Sequence, residues 1–200
     1  LSACLAEAGQ HVMLVDFDPQ GNASSGLGVE KEDYEHTVYD MMAEEADLDE
    51  CLVKNIQDNL DVLPSDMNLA GAEIEFQEVE DKETLLKRYL DKVRDNYDFI
   101  LIDCPPSLNI LTINALTAAD TVLVPIQCEY YALEGLNQVL KTVELVKRKL
   151  NPQLELEGVV FTMYDARTNL SLQVVESVKN NLNQTIYKTI IPRNVRLAEA

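Results

Sequence analysis

Three aspartates in this chain follow apolar segments and have the chemistry of a cation site. Asp16 ends the apolar run 12–15, Asp18 comes two residues later, and Asp103 ends a second run, 99–102. Short continuous apolar runs are typical of parallel strands that are covered on both faces. In an open α/β sheet, ligands bind just beyond the carboxyl ends of such strands. The three carboxylates therefore predict a magnesium-nucleotide site at one edge of a sheet.

The two segments predict different roles for their carboxylates. A hydrophobic strand that ends in Asp is the Walker-B arrangement, in which Asp103 would hold magnesium, often through water. Asp18 is predicted to orient an attacking water and Asp16 to support the magnesium shell. The alternatives are that Asp103 only caps a turn and that Asp18, which precedes Pro19, only begins one. The prolines at 105–106 have fixed φ angles and lack N–H donors, which predicts a stiff loop after Asp103.

Strand and helix patterns alternate along the whole chain. Strands are predicted near 12–17, 60–63, 98–103, 121–126, 156–163 and 186–191, and helices near 36–45, 48–54, 82–95, 109–119, 133–150 and 170–182. This alternation predicts an α/β fold with a mostly parallel, doubly wound sheet and helices on both faces. No repeat, low-complexity tract or linker interrupts the pattern, so we expect a single domain over residues 1–200.

Charge and cysteine content limit the classes of function. The net charge is −19, but residues 1–140 carry 7 lysines and arginines against 29 acids, and residues 141–200 carry 9 against 6. Salt screens exposed charges over about 8 Å at physiological ionic strength. A local basic patch near the C-terminus is therefore compatible with the negative net charge. Four widely spaced cysteines without a Cys-x-x-Cys pair argue against zinc and disulfides and favour a reducing cytoplasm. Cys104 is open to two interpretations, a reactive thiol or a small buried residue.

The sequence lacks the common phosphate-binding motifs. Neither G-x-x-x-x-G-K-[ST] nor G-x-G-x-x-G occurs in it. A phosphate-binding loop is therefore expected upstream of Leu1. The segment 1–9 is typical of the second half of a helix that Gly9 ends, so the chain is expected to be an internal piece, truncated at both ends and inactive alone. No apolar run approaches the ~20 residues of a membrane span.

Five ordered motifs resemble the chromosomal ParA/Soj partition ATPases. They are VDFDPQGNAS (15–24), DCPPS (103–107), QCEYYALEG (127–135), YDART (164–168) and IPRNVR (191–196). The resemblance extends over essentially all 200 residues. It implies the ParA/MinD type of P-loop NTPase fold, within the SIMIBI class. It also implies a first strand and a deviant Walker-A loop of the K-G-G-V-G-K-T-T type before Leu1, and a closing strand and helix after Ala200.

The resemblance also implies an activity and its partners. Members of this family hydrolyse ATP with Mg²⁺ and form a homodimer on ATP binding. The dimer binds double-stranded DNA without sequence preference, and a ParB-type partition protein stimulates hydrolysis and release. The implied location is the cytoplasm, in association with the nucleoid and without a membrane. Chromosomal and plasmid systems both remain open.

Site residues carry over motif by motif. Asp18 would be the residue on which hydrolysis depends, and Asp103 would be the Walker-B residue. Pro192 and Asn194 would lie against the adenine. The adenine contacts come from the resemblance alone.

Two arginines are implied to contact DNA. Arg167 and Arg196 match positions that ParA-like proteins use for sequence-independent DNA binding; the sequence by itself favours surface charge or a salt bridge. A MinD-like membrane-associated positioning ATPase is the alternative function, and it needs a basic amphipathic C-terminal helix. An amide-forming or reductase enzyme on a related fold is a third, less favoured because no cysteine has the setting of an iron–sulfur ligand.

Overall fold

The computed structural model describes residues 1–182 and 184–195. Contacts within the chain form two compact units, residues 1–119 and residues 120–200. Each unit has its own sheet, in which parallel strands are joined through helices. The predicted α/β class with a mostly parallel sheet is thereby confirmed. The single domain over residues 1–200 stays a prediction.

The first unit is built on a four-stranded sheet. Its strands are β1 (Val12–Asp16), β2 (Val53–Gln57), β3 (Leu60–Leu63) and β4 (Phe99–Asp103), in the spatial order β2-β3-β1-β4. β1 runs parallel to both of its neighbours, and Val12 pairs with Leu60 on β3 and with Phe99 on β4. β2 is antiparallel to β3. The carboxyl ends of β1, β3 and β4 therefore lie at one edge of this sheet.

β1 is covered on both faces. All five of its residues are buried. Met13 and Val15 pack into one core cluster, whereas Val12 and Leu14 pack into another, because successive side chains of a strand point to opposite faces. Burying an aliphatic side chain of this size contributes about 1.5–3 kcal/mol. This double packing holds the end of β1, and therefore Asp16, in a fixed position.

Seven helices accompany this sheet in the described residues. They are α1 (Ser2–Glu7), α2 (Asn22–Gly26), α3 (Val38–Met42), α4 (Leu48–Cys51), α5 (Ala72–Glu75), α6 (Leu85–Leu90) and α7 (Ile110–Ala118). α7 begins at Asn109, whose side chain accepts the N–H of Leu111 at 3.1 Å, which is an N-cap. Leu111 and Ala115 pack into the same cluster as Met13. The core thus fixes the far end of the loop that follows Asp103.

Two predicted helices have different bounds in the structure. The helix predicted over 48–54 ends at Cys51, and β2 begins at Val53. The helix predicted over 82–95 is regular only over α6, with 3₁₀ turns at Lys82–Thr84 and Arg94–Asn96.

The second unit is a three-stranded parallel sheet with two helices. Its elements are β5 (Thr121–Gln127), α8 (Ala132–Lys149), β6 (Glu155–Tyr164), α9 (Asn169–Asn181) and β7 (Ile186–Pro192). The strand order is β5-β6-β7. Val159 and Phe161 of β6 are fully buried and pack in one cluster with Leu136 of α8 and Val178 of α9. All five elements lie within a few residues of their predicted positions.

Candidate active site

Asp16 and Asp103 are register partners at the ends of adjacent parallel strands. They terminate β1 and β4, and their Cα positions are paired in the ladder. The pairing continues one residue further, because the N–H of Phe17 donates to the carbonyl oxygen of Asp103 at 2.8 Å. The two carboxylates predicted to share an edge are therefore brought together there.

Asp18 begins a tight turn directly beyond this edge. The N–H of Gly21 donates to the carbonyl oxygen of Asp18 at 2.9 Å, and the N–H of Gln20 donates to Oδ1 of Asp18 at 3.0 Å. Gly21 has φ 63°, and a Cβ at that position would lie 3.0 Å from the carbonyl oxygen of Ser65. Glycine is required at that position because the left-handed backbone and the close approach both exclude a side chain. The turn leaves Asp18 half-buried beside the strand ends.

The Asp16 carboxylate is fully buried and is satisfied by hydrogen bonds. Its Oδ2 accepts the backbone N–H and the hydroxyl of Ser24, both at 2.8 Å. Its Oδ1 accepts the N–H of Asp18 at 3.3 Å. A buried carboxylate is tolerated only with such partners. Asp16 therefore connects the end of β1 to the Asp18 turn and to α2.

Asp103 is exposed, and its surroundings are negative. The pKa of its carboxyl is raised by desolvation at the sheet edge and then by the charges of Asp16 and Asp18. None of the ion pairs formed between described residues includes any of these three aspartates. No described group of three or more His, Cys, Asp or Glu side chains forms a complete metal site. The arrangement suits a cation that keeps part of its water shell, as magnesium does.

The loop after β4 also contains Cys104. Burial, followed by the charges of Asp103 and Asp18, raises the pKa of its thiol to about 12. Because only the thiolate is a good nucleophile, this cysteine is poorly suited to react at neutral pH. The interpretation as a small buried residue is favoured over a reactive thiol.

Pro192 and Asn194 lie in the second unit, at the carboxyl end of β7. Pro192 pairs in register with Tyr164 of β6, and the N–H of Arg193 donates to the carbonyl oxygen of Tyr164 at 2.9 Å. Pro192 and Asn194 are both exposed. Their contact with adenine stays a prediction, as do the roles of the first unit's aspartates.

Arg167 also lies in the second unit, in the loop between β6 and α9. Its Nε and Nη2 donate to Oδ1 and Oδ2 of Asp165 at 2.9 and 2.7 Å. The hydrogen bond from Arg167 lowers the pKa of the Asp165 carboxyl below its usual range. The Arg167 side chain is 87% exposed despite this pair. Arg196, the other predicted DNA contact, lies outside the described residues.

Two contacts, one in each unit, were not predicted from the sequence. They are the contact of Ser24 with Asp16 in the first unit and that of Asp165 with Arg167 in the second. Asp165 had a detectable signal, because an acid two residues before Arg167 can fold back onto it. No sequence signal indicated the contact of Ser24 with Asp16, because this contact depends on how α2 packs against the end of β1.

Comparisons with known proteins place this geometry in a family. A family model described as an AAA domain matches residues 1–156. The sporulation initiation inhibitor protein Soj of Bacillus subtilis is 58% identical over 200 residues, covering all of this chain and 79% of that protein. The chromosome-partitioning ATPase Soj of Treponema pallidum is 50% identical, covering all of this chain and 78% of that protein. This chain belongs to the ParA/Soj family.

A solved structure supports the ParA/Soj assignment at the level of the fold. The crystal structure of cobyrinic acid a,c-diamide synthase from Mycobacterium smegmatis with bound ADP and magnesium aligns with a TM-score of 0.89 and 38% identity. The alignment covers 97% of this ParA/Soj chain and 79% of that one. The predicted family and the predicted fold are thereby confirmed.

Proposed function

We propose that this protein is an ATP-hydrolysing partition protein that moves replicated DNA. ATP binding, with Mg²⁺, drives formation of a homodimer that binds double-stranded DNA without sequence preference. A ParB-type partner then stimulates hydrolysis and release. The observation that carries the proposal is the pairing of Asp16 with Asp103 beside the Asp18 turn, in a chain that is 58% identical to Soj.

Asp103 is the residue proposed to hold magnesium, through water. Magnesium is usually bound by one or two carboxylates together with substrate phosphates, and not by a cage of protein ligands alone. The exposed Asp103, whose pKa is raised by desolvation and then by Asp16 and Asp18, fits such a cation. When bound, the metal would neutralise phosphate charge and withdraw electrons from the bond that breaks.

Asp18 is proposed to orient the water that attacks the terminal phosphate. Phosphoryl transfer depends on positioning and on charge stabilisation, and Asp18 projects from a hydrogen-bonded turn. The oxygens of Asp16 already accept hydrogen bonds from Ser24 and Asp18. Asp16 is therefore proposed to support the magnesium shell indirectly, by holding the Asp18 turn in place.

Residues of the second unit complete the proposal. Pro192 and Asn194 would contact the adenine, and Arg167 and Arg196 would contact DNA phosphates. A dimer that offers two arginines per subunit engages about four phosphates, so log K would fall with log salt at a slope of about −3.6. Loss of the dimer after hydrolysis would halve these contacts and release the DNA.

The proposed location is the cytoplasm, on the nucleoid. Among the helices that the structure describes, none combines the length and the apolar character needed to cross a bilayer. DNA binding would concentrate the ATP-bound form on the nucleoid.

The proposal is tested with Asp18→Ala in the full-length protein. We expect ATP turnover to stop because the variant can no longer orient the attacking water. ATP-dependent retention on DNA should persist because the variant keeps Arg167 and Arg196. Asp58→Ala, at an exposed position of the same unit, is the control and should retain turnover. Unchanged hydrolysis in Asp18→Ala would contradict the role of Asp18, and wild-type protein without ATP-dependent DNA binding would contradict the function.

A diamide synthase is the second candidate, because a structure with that name aligns at 38% identity. That reaction would amidate carboxylates of a small molecule with energy from ATP. The higher identity to Soj proteins favours partition. ATP turnover measured with DNA and ParB-type partner, and separately with cobyrinic acid and glutamine, distinguishes the two functions.

A further inference from the structure

Asp16 and Ser24 form a buried, hydrogen-bonded pair next to the Asp18 turn. Asp16 is fully buried and Ser24 is only 3% exposed, so water does not compete for their hydrogen bonds. Both donors of Ser24, the backbone N–H and the hydroxyl, lie 2.8 Å from the same oxygen, Oδ2. Hydrogen bonds to a buried carboxylate are among the stronger ones in proteins.

The other oxygen of Asp16 holds the turn directly. Oδ1 accepts the N–H of Asp18 at 3.3 Å, and Asp18 in turn accepts the N–H of Gln20. The Asp16 carboxylate therefore connects Asp18, the first residue of the turn, to Ser24 on α2, the helix that follows the turn. Without the hydroxyl of Ser24, Oδ2 would keep only the backbone N–H of Ser24 as a donor. The carboxylate would then be held less firmly against rotation, and the long 3.3 Å bond from Asp18 to Oδ1 would be the first to break.

We infer that Ser24 is a positioning residue for ATP hydrolysis. Its hydroxyl fixes the Asp16 carboxylate, Asp16 fixes the Asp18 turn, and the turn sets where Asp18 holds the attacking water. Ser24 is only 3% exposed and acts through Asp16. The inference rests on the proposed ATPase function and adds to it a residue on which the rate of the chemical step depends.

The test compares Ser24→Ala with Ser24→Thr in the full-length protein, stimulated by DNA and a ParB-type partner. A displacement near 1 Å of a group that orients a reactant can cost up to about 100-fold in rate. We expect Ser24→Ala to lower kcat roughly 10- to 100-fold, with the KM for ATP within about two-fold of wild type. Ser24→Thr keeps the hydroxyl and should retain kcat within about three-fold.

The neighbouring serine is a matched control. Ser25 lies on the same short helix but is exposed, and its hydroxyl donates to the carbonyl oxygen of Asn22 at 3.3 Å. Ser25→Ala should leave kcat unchanged. An equal loss in Ser24→Ala and Ser25→Ala would indicate a general effect on α2 and would overturn the inference.

A second pair of variants distinguishes the effect of losing the Ser24 hydroxyl from a general effect on folding. Ser24→Val has the shape of Ser24→Thr without the hydroxyl, so both place the same extra methyl in the buried site. A reduced kcat in Ser24→Val with a retained kcat in Ser24→Thr supports the inference even if Ser24→Ala fails to fold. Equal kcat in the two, or a loss confined to KM, overturns it. Wild-type protein that lacks ATP turnover would instead refute the proposed function.

Discussion

Asp16 and Asp103 face each other as paired residues of two parallel strands, yet their environments are opposite. Asp16 is fully buried and accepts three hydrogen bonds, whereas Asp103 is exposed and has a raised pKa. Hydrogen bonds stabilise the first carboxylate, and the second lies in the negative field of the first. Asp16 is thus suited to hold the loop in place and Asp103 to attract a cation. The different roles of Asp16 and Asp103 follow from their different exposure to solvent, since both residues stand at the same position of their strands.

Removing the charge of Asp103 is expected to stabilise the protein without ligands. Its pKa is raised above the ordinary 3.8, first by desolvation and then by Asp16 and Asp18, so ionisation at neutral pH opposes folding. Asp103→Asn should raise the free energy of unfolding at pH 7 by up to about 1 kcal/mol, a small value because an exposed charge is screened. Thermal denaturation measures the change.

The pH dependence of that gain provides the check. A raised native pKa means that the penalty is present above that pKa and is lifted as the pH falls through it and the carboxyl is protonated. The stability advantage of Asp103→Asn should therefore shrink as the pH approaches 3.8. Asp95→Asn removes the same charge at an exposed position and is the control for the loss of one negative charge. Lower stability of Asp103→Asn at pH 7 would contradict the repulsion argument.

Gly21→Ala is expected to destabilise the turn that carries Asp18. Alanine would adopt φ 63° with strain, and its Cβ would lie 3.0 Å from the carbonyl oxygen of Ser65. The loss should be about 1–3 kcal/mol in a urea titration. Gly26→Ala, where no atom lies within 4 Å of the added Cβ, is the control and should be neutral or stabilising. Similar losses in both variants would show that the left-handed turn is not the cause.

The strands that carry the aspartates could be predicted from the sequence because a continuous apolar run is a local signal, although only β1 is buried along its whole length and β4 is exposed or half-buried. β1 and β4 are short apolar runs, and both lie within a residue of the predicted bounds. β2 could not be predicted in this way. Its residues are exposed or half-buried, and Asn55 has φ 56°, so neither an apolar run nor a period of two marks it. The strand is formed by hairpin pairing with β3, in which Val53 pairs with Val62 and Gln57 with Leu60.

The candidate site was predictable only in its carboxylates. An aspartate at a strand end can be read from the chain, but its partners cannot. The contact from Ser24 to Asp16 spans eight residues and requires the Gly21 turn to bring α2 back beneath the strand. In the second unit, the spacing of two residues between Asp165 and Arg167 is a signal for their bidentate pair.

Thiol chemistry should distinguish the cysteines. Burial is the main cause that raises the pKa of both Cys51 and Cys104 to about 12, so about one in ten thousand of these thiols is ionised at pH 8. Cys4 is exposed. A maleimide at pH 8 should label Cys4 quickly and the native Cys51 and Cys104 slowly, as peptide mapping would show. Rapid labelling of Cys104 would instead favour the reactive-thiol interpretation. Labelling in urea is the control, since unfolding removes the burial.

Asp165 is expected to compete with DNA phosphate for Arg167. Its two oxygens accept Nε and Nη2 in the bidentate geometry that arginine also uses for phosphate. The Arg167 side chain is 87% exposed, so solvent screens its attraction to Asp165 and phosphate can displace the carboxylate. Asp165→Asn retains an acceptor for the N–H of Arg167, which donates to Oδ1 at 3.0 Å, but removes the charge. We therefore expect tighter DNA binding by the ATP-bound protein, measured by fluorescence anisotropy over a range of salt concentrations.

Two further variants decide whether this effect belongs to the pair. Glu144→Gln removes one negative charge from an exposed position on α8 and should change DNA affinity less than Asp165→Asn does. Arg167→Gln should weaken binding and reduce the steepness of the salt dependence by about 0.9 for each lost phosphate contact, with ATP binding unchanged. Weaker DNA binding by Asp165→Asn would contradict this expectation. It would mean that the Asp165 carboxylate holds Arg167 in the position that contacts DNA and does not compete with the phosphate.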